Sequence, residues 1–275
     1  MKVTVEETRA VANLVRELCG LNLDDTKGYL IENRLSKIFE DLGSSSIDEF
    51  CRQVRLGAKE IQGQVIDAIT TQETTFFRDS APYDAIMHHV LPMMIDQRGG
   101  SGFGRRLRVW SAASSTGQEP YSLAMALSEV IPNIASWDVS ITATDVSAAA
   151  IGAASRGMFD QLAMQRASKP EIVKKYLEPV GTQFQIRPDL RRLVHFQQLN
   201  LLQPFPAMFA NFDLILCRNV AIYFEPQQQE SLFRRLSEKL APGGCLFLGA
   251  GESLDDAKLG LKRELRCHSC FYQKP

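Results

Sequence analysis

The chain has 275 residues, 45% hydrophobic and 23% charged, enough apolar matter for one large domain or a large domain with a small companion and too much for global disorder. Its formal net charge of -1 argues against the broad basic face that nucleic-acid binding requires. No apolar run approaches the roughly 20 residues of a membrane span, and the opening stretch MKVTVEETRAVANLVREL lacks the apolar core of a signal peptide. A cytoplasmic protein that neither binds nucleic acid nor inserts into membranes is expected.

The first 70 residues read as helices. Val11, Leu14, Val15 and Leu18 recur at helical spacing, as do Leu30, Ile31, Leu35 and Ile38. Leu42-Gly43 followed by three serines is a helix stop and a capping cluster, and Gln64 to Ile69 completes the helical set before TTQETTFFRD. Two adjacent Phe followed by Arg and Asp in that segment are compatible with a capped amphipathic helix. After about residue 105 the pattern alternates. LRVWSAA (107–113), VSITATD (139–145), LVHFQQ (193–198), FDLILCRN (212–219) and CLFLGAG (245–251) are strand candidates. Helices are expected over 119–130, over SAAAIGAASRG and over 227–240, and Pro242-Gly243-Gly244 reads as a turn back into a strand. Pro132, Pro170, Pro179 and Pro188 mark breaks, and the irregular stretch from Tyr176 to about residue 195 reads as an inserted subdomain. The expected fold is α/β and Rossmann-like, a parallel sheet covered on both faces. It follows a helical domain (1–70) and a linker carrying QETTFFR (71–90), with the insert inside 91–275.

Ligands in such sheets bind at the carboxyl ends of the strands, so the residues after each strand carry the chemistry. The first strand is followed by SAASSTGQEP, a small-residue loop with no dinucleotide G-x-G-x-x-G. The second ends at Asp145, suited to accept both hydroxyls of a ribose or, alternatively, to cap the next helix. The third is followed by Asn200 and Leu201, the fourth by Arg218, Asn219 and Tyr223. Six cysteines are scattered along the chain. Cys267 and Cys270 form a C-x-x-C without a second ligand pair, so free thiols and no metal are expected.

TTQETTFFRD, RVWSAASSTGQEPYSLAM, ATDVS, QLNLL, FDLILCRNVAIYF, the PGG turn and FLGAGESL, in this order and over nearly the whole chain, resemble the chemotaxis-receptor methyltransferase family, CheR. The resemblance implies transfer of a methyl group from S-adenosylmethionine to glutamate side chains of a chemoreceptor, giving glutamyl methyl esters and S-adenosylhomocysteine. It assigns Gln72, Thr74, Arg78, Glu119, Asp145, Asn200, Leu201, Arg218 and Asn219 to the cofactor. Many relatives have Asn where this chain has Gln72. Tyr223 would sit near the transferred methyl, with an arginine before the first sheet strand, aligned to Arg98 and with Arg105, Arg106 and Arg108 as competitors. Lys27, Arg34 and Lys37 would face the receptor's cytoplasmic helices and draw the enzyme to membrane receptor arrays, whereas a solvated surface is the plainer reading of that spacing. Arg52, Arg55 and Lys59 form a second basic row at i, i+3, i+7. Some members bind a C-terminal receptor pentapeptide on the inserted subdomain; the short YLEPVGTQFQIRPDLRRLVHF, with one glycine (Gly181), predicts that this chain does not.

An ionised glutamate needs no general base, because its reference pKa is about 4.3, so a missing Ser-His or Cys-His pair is no objection. A base-modifying enzyme would carry [D/N]-P-P-[Y/F] where this chain reads CRNVAIYF. A cofactor-binding scaffold or sensor without catalysis is the alternative, and the presence of Arg78, Asp145 and Tyr223 counts against it.

Overall fold

The computed structural model describes residues 2–99 and 104–275, without the side chains of residues 98 and 99. Four helices come first: α1 (Val5–Cys19), α2 (Gly28–Asp41), α3 (Ile47–Leu56) and α4 (Lys59–Ile69). Thr4 and Glu7 form a capping box at the start of α1, and Gly20, with φ 79°, ends it. The apolar rows of these helices close on a core of their own that includes Val11, Leu14, Ile31, Leu35, Phe50 and Val65.

Between Thr70 and Asp79 the chain is not helical. Phe76 and Phe77 are fully buried, Phe76 edge-on to Phe159 and Phe77 edge-on to Tyr83. The amphipathic-helix reading of this segment is therefore wrong: the backbone is irregular and turning here, and both rings point into the sheet's core. Helix α5 (Ser80–Ala85) runs through a π-helical turn (Ile86–Val90) into α6 (Leu91–Gly99). The wide turn directly precedes Pro92, which has no N–H for a regular helical bond.

The remaining elements are β1 (Arg106–Ala112), α7 (Gln118–Val130), β2 (Asp138–Asp145), α8 (Ala148–Arg156), β3 (Met158–Phe159), α9 (Gln161–Gln165), α10 (Pro170–Tyr176), β4 (Leu177–Val180), β5 (Gln183–Ile186), α11 (Pro188–Arg191), β6 (Val194–Gln198), β7 (Phe212–Cys217), α12 (Pro226–Lys239), β8 (Leu240–Leu248), α13 (Asp256–Leu259), β9 (Lys262–Arg266) and β10 (Ser269–Gln273). The main sheet has the order β6-β2-β1-β7-β8-β10-β9. Its first five strands are parallel, and β10 pairs antiparallel with β8 and β9. Every residue of β7 is buried, as expected of a central parallel strand covered on both faces. Two apolar layers, one around Val109, Leu214 and Phe247 and one around Trp110, Ile215 and Leu246, form those covers.

Three expectations need correction. Pro242-Gly243-Gly244 lies inside β8 and is not a turn before it; the β7–β8 register shifts between Phe212 and Leu214, which absorbs the irregular backbone. The inserted subdomain is a three-stranded antiparallel sheet, β3-β5-β4, whose strand Met158–Phe159 lies well before residue 176. Pro179 does not break the chain: it sits within the edge strand β4, where its missing N–H leaves no central ladder bond unmade.

Candidate cofactor cavity

A cavity opens at the carboxyl ends of β1, β2, β6 and β7. It is lined by Thr70 to Thr74 and Arg78 from the segment after α4, by Ala113, Ser115 and Glu119, by Asp145 and Val146, by Leu199 to Leu201, by Arg218 to Val220, and by Tyr223 and Phe224. Cys19 and Leu21 from the helical domain complete its wall. The loop after β1 is strained where it reaches the cavity: Ala113 and Ser115 have φ 67° and 50°, conformations that L-residues seldom hold without a reason. The small residues of α8 also acquire a purpose. A Cβ on Gly117 would lie 2.9 Å from the Ala154 Cβ, so glycine and alanine let helix and loop touch.

Asp145 is only 7% exposed. Its Oδ2 accepts from the Ser115 N–H at 2.8 Å and its Oδ1 from the Ser147 N–H at 3.0 Å. It is not a helix cap, because the Ser147 side chain caps α8. Burial pushes the Asp145 carboxyl above its ordinary pKa, against the pull of the backbone N–H donors. Each carboxylate oxygen accepts one backbone bond and keeps a lone pair for a ligand.

Arg218, its side chain 1% exposed, is the hub on the other side. It donates to Glu119 Oε2 at 3.2 Å, to Asp79 Oδ2 at 2.9 Å and to the Arg78 carbonyl at 2.9 Å. Glu119 also accepts from the Ser111 hydroxyl at 2.8 Å. Loss of hydration disfavours the Arg218 cation, but Glu119, Tyr83 and Asp79 more than offset it and its pKa stands above normal. Burial likewise raises Glu119, with Arg218 opposing. Arg218 thus pins the QETTFFRD segment to the sheet while forming part of the cavity wall.

The helical domain closes the cavity through specific bonds. The Asn22 N–H donates to the Tyr223 carbonyl at 2.8 Å, and the Asn200 amide to the Leu18 carbonyl at 2.9 Å. Ser147 donates to Asp67 on α4 at 2.6 Å, and Arg16 pairs with Glu225 at 3.3 Å. Arg34 reaches the Ile69 and Thr70 carbonyls at 2.9 and 3.1 Å.

The residues of this wall suit an adenosyl ligand. Asp145 places its carboxylate, and Val146, Leu199 and Leu201 their apolar side chains, on the same wall as Glu119, and the Ser115 hydroxyl is buried without a partner among the described residues. Residues 72–267 match the family model described as "CheR methyltransferase, SAM binding domain", and residues 6–70 match "CheR methyltransferase, all-alpha domain". The chain belongs to the CheR methyltransferase family. It is 39% identical over 246 residues to chemotaxis protein methyltransferase 1 of Pseudomonas aeruginosa, covering 88% of each chain. It is 37% identical over 261 residues to chemotaxis protein methyltransferase 1 of Vibrio cholerae, covering 92% of this chain and 90% of that one. Among the described residues no helix is long and apolar enough to cross a membrane.

In this CheR-family chain Gln72, Thr74, Arg78, Glu119, Asp145, Asn200, Leu201, Arg218, Asn219 and Tyr223 all meet at the one cavity. Gln72 donates to the Thr70 hydroxyl at 3.0 Å, and Asn200 is already spent on Leu18 and Leu202, so both shape the wall as well as face it. Arg98 falls in the last turn of α6 and its side chain lies outside the described residues. Its competitors are misplaced: Arg105 bonds Ser136, Arg108 pairs with Asp138, and Arg106 starts β1, all at the strand end away from the cavity. The basic face on α2 also needs revision. Arg34 turns inward to carbonyls at the end of α4, Lys27 lies 3.9 Å from Asp24, and Lys37 is exposed. Arg52, Arg55 and Lys59 do not share a helix, because Gly57 and Ala58 separate α3 from α4, and Arg55 pairs with Glu17 at 2.8 Å. Cys267 and His268, with φ 49° and 60°, form the β9–β10 turn, and Arg263 donates to Cys270 at 3.1 Å. The sequence reading missed Asp79, Ser111, Ser115, Cys19, Leu21 and Asn22. Asp79, in QETTFFRD, and Ser111, in VWSAA, were signalled by their motifs; the helical-domain residues carried no signal.

Proposed function

We propose that this chain methylates glutamate side chains on the cytoplasmic helices of a chemoreceptor, binding S-adenosylmethionine in the cavity and releasing S-adenosylhomocysteine. The observation that carries the reading is the convergence of Asp145, Glu119, Arg218, Arg78 and Tyr223 on one cavity in a CheR-family chain. Asp145 would hold the ribose, and Glu119 the amino-acid end. Bound S-adenosylmethionine supplies a methyl group already activated on a sulfonium. The protein's task is then alignment and partial desolvation of an ionised carboxylate, with no proton to remove.

Arg78 is proposed for an orienting role of the kind expected of Arg98, whose side chain lies outside the described residues. The Arg78 Nη1 donates to the Glu73 carbonyl at 2.9 Å, and its remaining donors have no acceptor among the described residues. It stands in the same wall as Tyr223, which is 41% exposed at the rim. A bidentate guanidinium bond and one phenol bond hold a carboxylate well and a neutral ester poorly, which favours product release. The inactive-scaffold alternative has no observation in its favour. Lys27 and Lys37 remain proposed receptor contacts, and recruitment to receptor arrays rests on them. The tether is proposed to be dispensable: an added peptide strand needs an open edge, and the β4 edge carries Pro179. Titration of the receptor pentapeptide should show no saturable binding, and low-micromolar binding would overturn that point. The function itself is tested by incubating the protein with receptor-bearing membranes and labelled cofactor. Transfer of label to the receptor is expected, and its absence refutes the reading.

A further inference from the structure

The loop after β7 presents the N–H groups of Asn219, Val220, Ala221 and Ile222 on one side. Asn219 adopts φ 57°, and a single 3-10 turn (Ala221–Tyr223) follows. Successive N–H groups with this geometry have no secondary-structure partner and form a small positive concavity. One side chain fills it. Glu252, from the segment beyond β8, accepts from Asn219 N at 2.8 Å through Oε2 and from Val220, Ala221 and Ile222 N at 2.9, 2.7 and 3.3 Å through Oε1. Its Oε2 also takes the Gly249 N–H at 2.7 Å, closing its own segment onto the loop. A Cβ at Gly249 would meet Glu252 Oε2 at 2.7 Å and Asn219 N at 2.8 Å, so the approach requires glycine.

This loop carries Asn219, Val220, Tyr223 and Phe224 into the cavity wall. On its other side the Tyr223 carbonyl accepts from Asn22 of the helical domain. The turn is thus held from behind by one carboxylate and from the front by one backbone bond, and the carboxylate makes four of the five contacts. We infer that Glu252 is a positioning residue for methyl transfer: it sets where the Tyr223 hydroxyl stands relative to the bound carboxylate substrate, without touching either. A carboxylate suits this role because it is acceptor-only at both oxygens; glutamine would turn an N–H₂ toward one set of donors. The inference rests on the proposed receptor-methylating role of Tyr223.

The test uses the full chain with Glu252→Gln and the milder Glu252→Asp, alone and combined with Tyr223→Phe. Glu252→Gln should lower kcat by about ten- to a hundredfold, the scale of a misplacement near 1 Å, while the Kd for S-adenosylhomocysteine, which meets the same loop only through part of its wall, rises by a clearly smaller factor. Amide exchange at residues 219–222 should quicken at least about tenfold in either variant. If Glu252 acts through Tyr223, the double variant should be no slower than Tyr223→Phe alone. Unchanged exchange in the loop, losses that multiply in the double variant, or normal turnover below the melting temperature would overturn the inference. If the parent protein itself transfers no methyl to receptor, the functional reading falls, and loop exchange, which needs no substrate, still decides the role of Glu252. If Glu252→Gln does not fold, the same exchange measurement on Glu252→Asp decides it.

Discussion

Replacing Asp145 by alanine separates the two jobs its carboxylate performs. Facing the cavity, it is proposed to accept ribose hydroxyls, and loss of charge-assisted bonds of this kind costs about 1.5–3 kcal/mol. That corresponds to an increase of about 10- to 150-fold in the Kd for S-adenosylhomocysteine. Facing inward, it satisfies the Ser115 and Ser147 N–H groups at 2.8 and 3.0 Å. Each donor left without a partner costs about 1–3 kcal/mol, and removing a buried charge returns part of that. A net destabilisation of about 1–3 kcal/mol is expected, seen as a fall of about 2–10 °C in Tm. Calorimetric titration with S-adenosylhomocysteine, beside thermal melts with and without it, reads both quantities. The parent's ligand-induced rise in Tm should shrink in the variant in step with the lost affinity. Unchanged affinity in a folded variant would refute the ribose assignment, and an unchanged Tm without ligand would refute the loop-holding role.

Burial raises the Asp145 pKa, so S-adenosylhomocysteine affinity should begin to fall on acidification at a higher pH than an ordinary carboxylate would allow, and Asp145→Asn should flatten that profile; the sign is opposite for stability, where this group's contribution is lost as pH rises from the unfolded toward the folded pKa. Tyr223→Phe should reduce kcat while leaving S-adenosylhomocysteine affinity within about twofold, and normal turnover would remove the hydroxyl from the mechanism. Lys27→Glu with Lys37→Glu should slow methylation at low salt and weaken its salt dependence, whereas Arg34→Glu should lower Tm, because Arg34 holds the Ile69 and Thr70 carbonyls; equal salt profiles in parent and double variant would leave the two lysines as solvated surface.

Much of the sheet was legible because its central strands are apolar runs bounded by polar residues: FDLILC is buried at every position and reads so without a structure. The site was legible in outline for the same reason, since polar residues at strand ends are where this fold places ligands. What stayed hidden depended on long-range partners. Nothing local in YLIENRLSKIF tells that Arg34 turns toward residues 35 and 36 positions away while Lys37 stays exposed. The distance of Arg105, Arg106 and Arg108 from the cavity follows only from the direction of β1. Pro179 and the Pro-Gly-Gly run looked like punctuation. An edge strand and a bulge accommodate such residues, and strand position in a sheet is not written in the segment itself. Glu252 lies beyond the last parallel strand, and its N–H partners at 219–222 become neighbours only once β7 and β8 pair.

The most direct test is to locate the transferred methyl group. Purified protein, receptor and labelled S-adenosylmethionine are incubated, and receptor peptides are analysed by mass spectrometry before and after mild base. The expected result is methylation of glutamate γ-carboxyls on the receptor's cytoplasmic helices, with the label released by base as methanol and clearly less transferred by Asp145→Ala at cofactor concentrations that just saturate the parent. Label on base-stable groups, or on no receptor glutamate at all, would contradict a receptor glutamate methyltransferase.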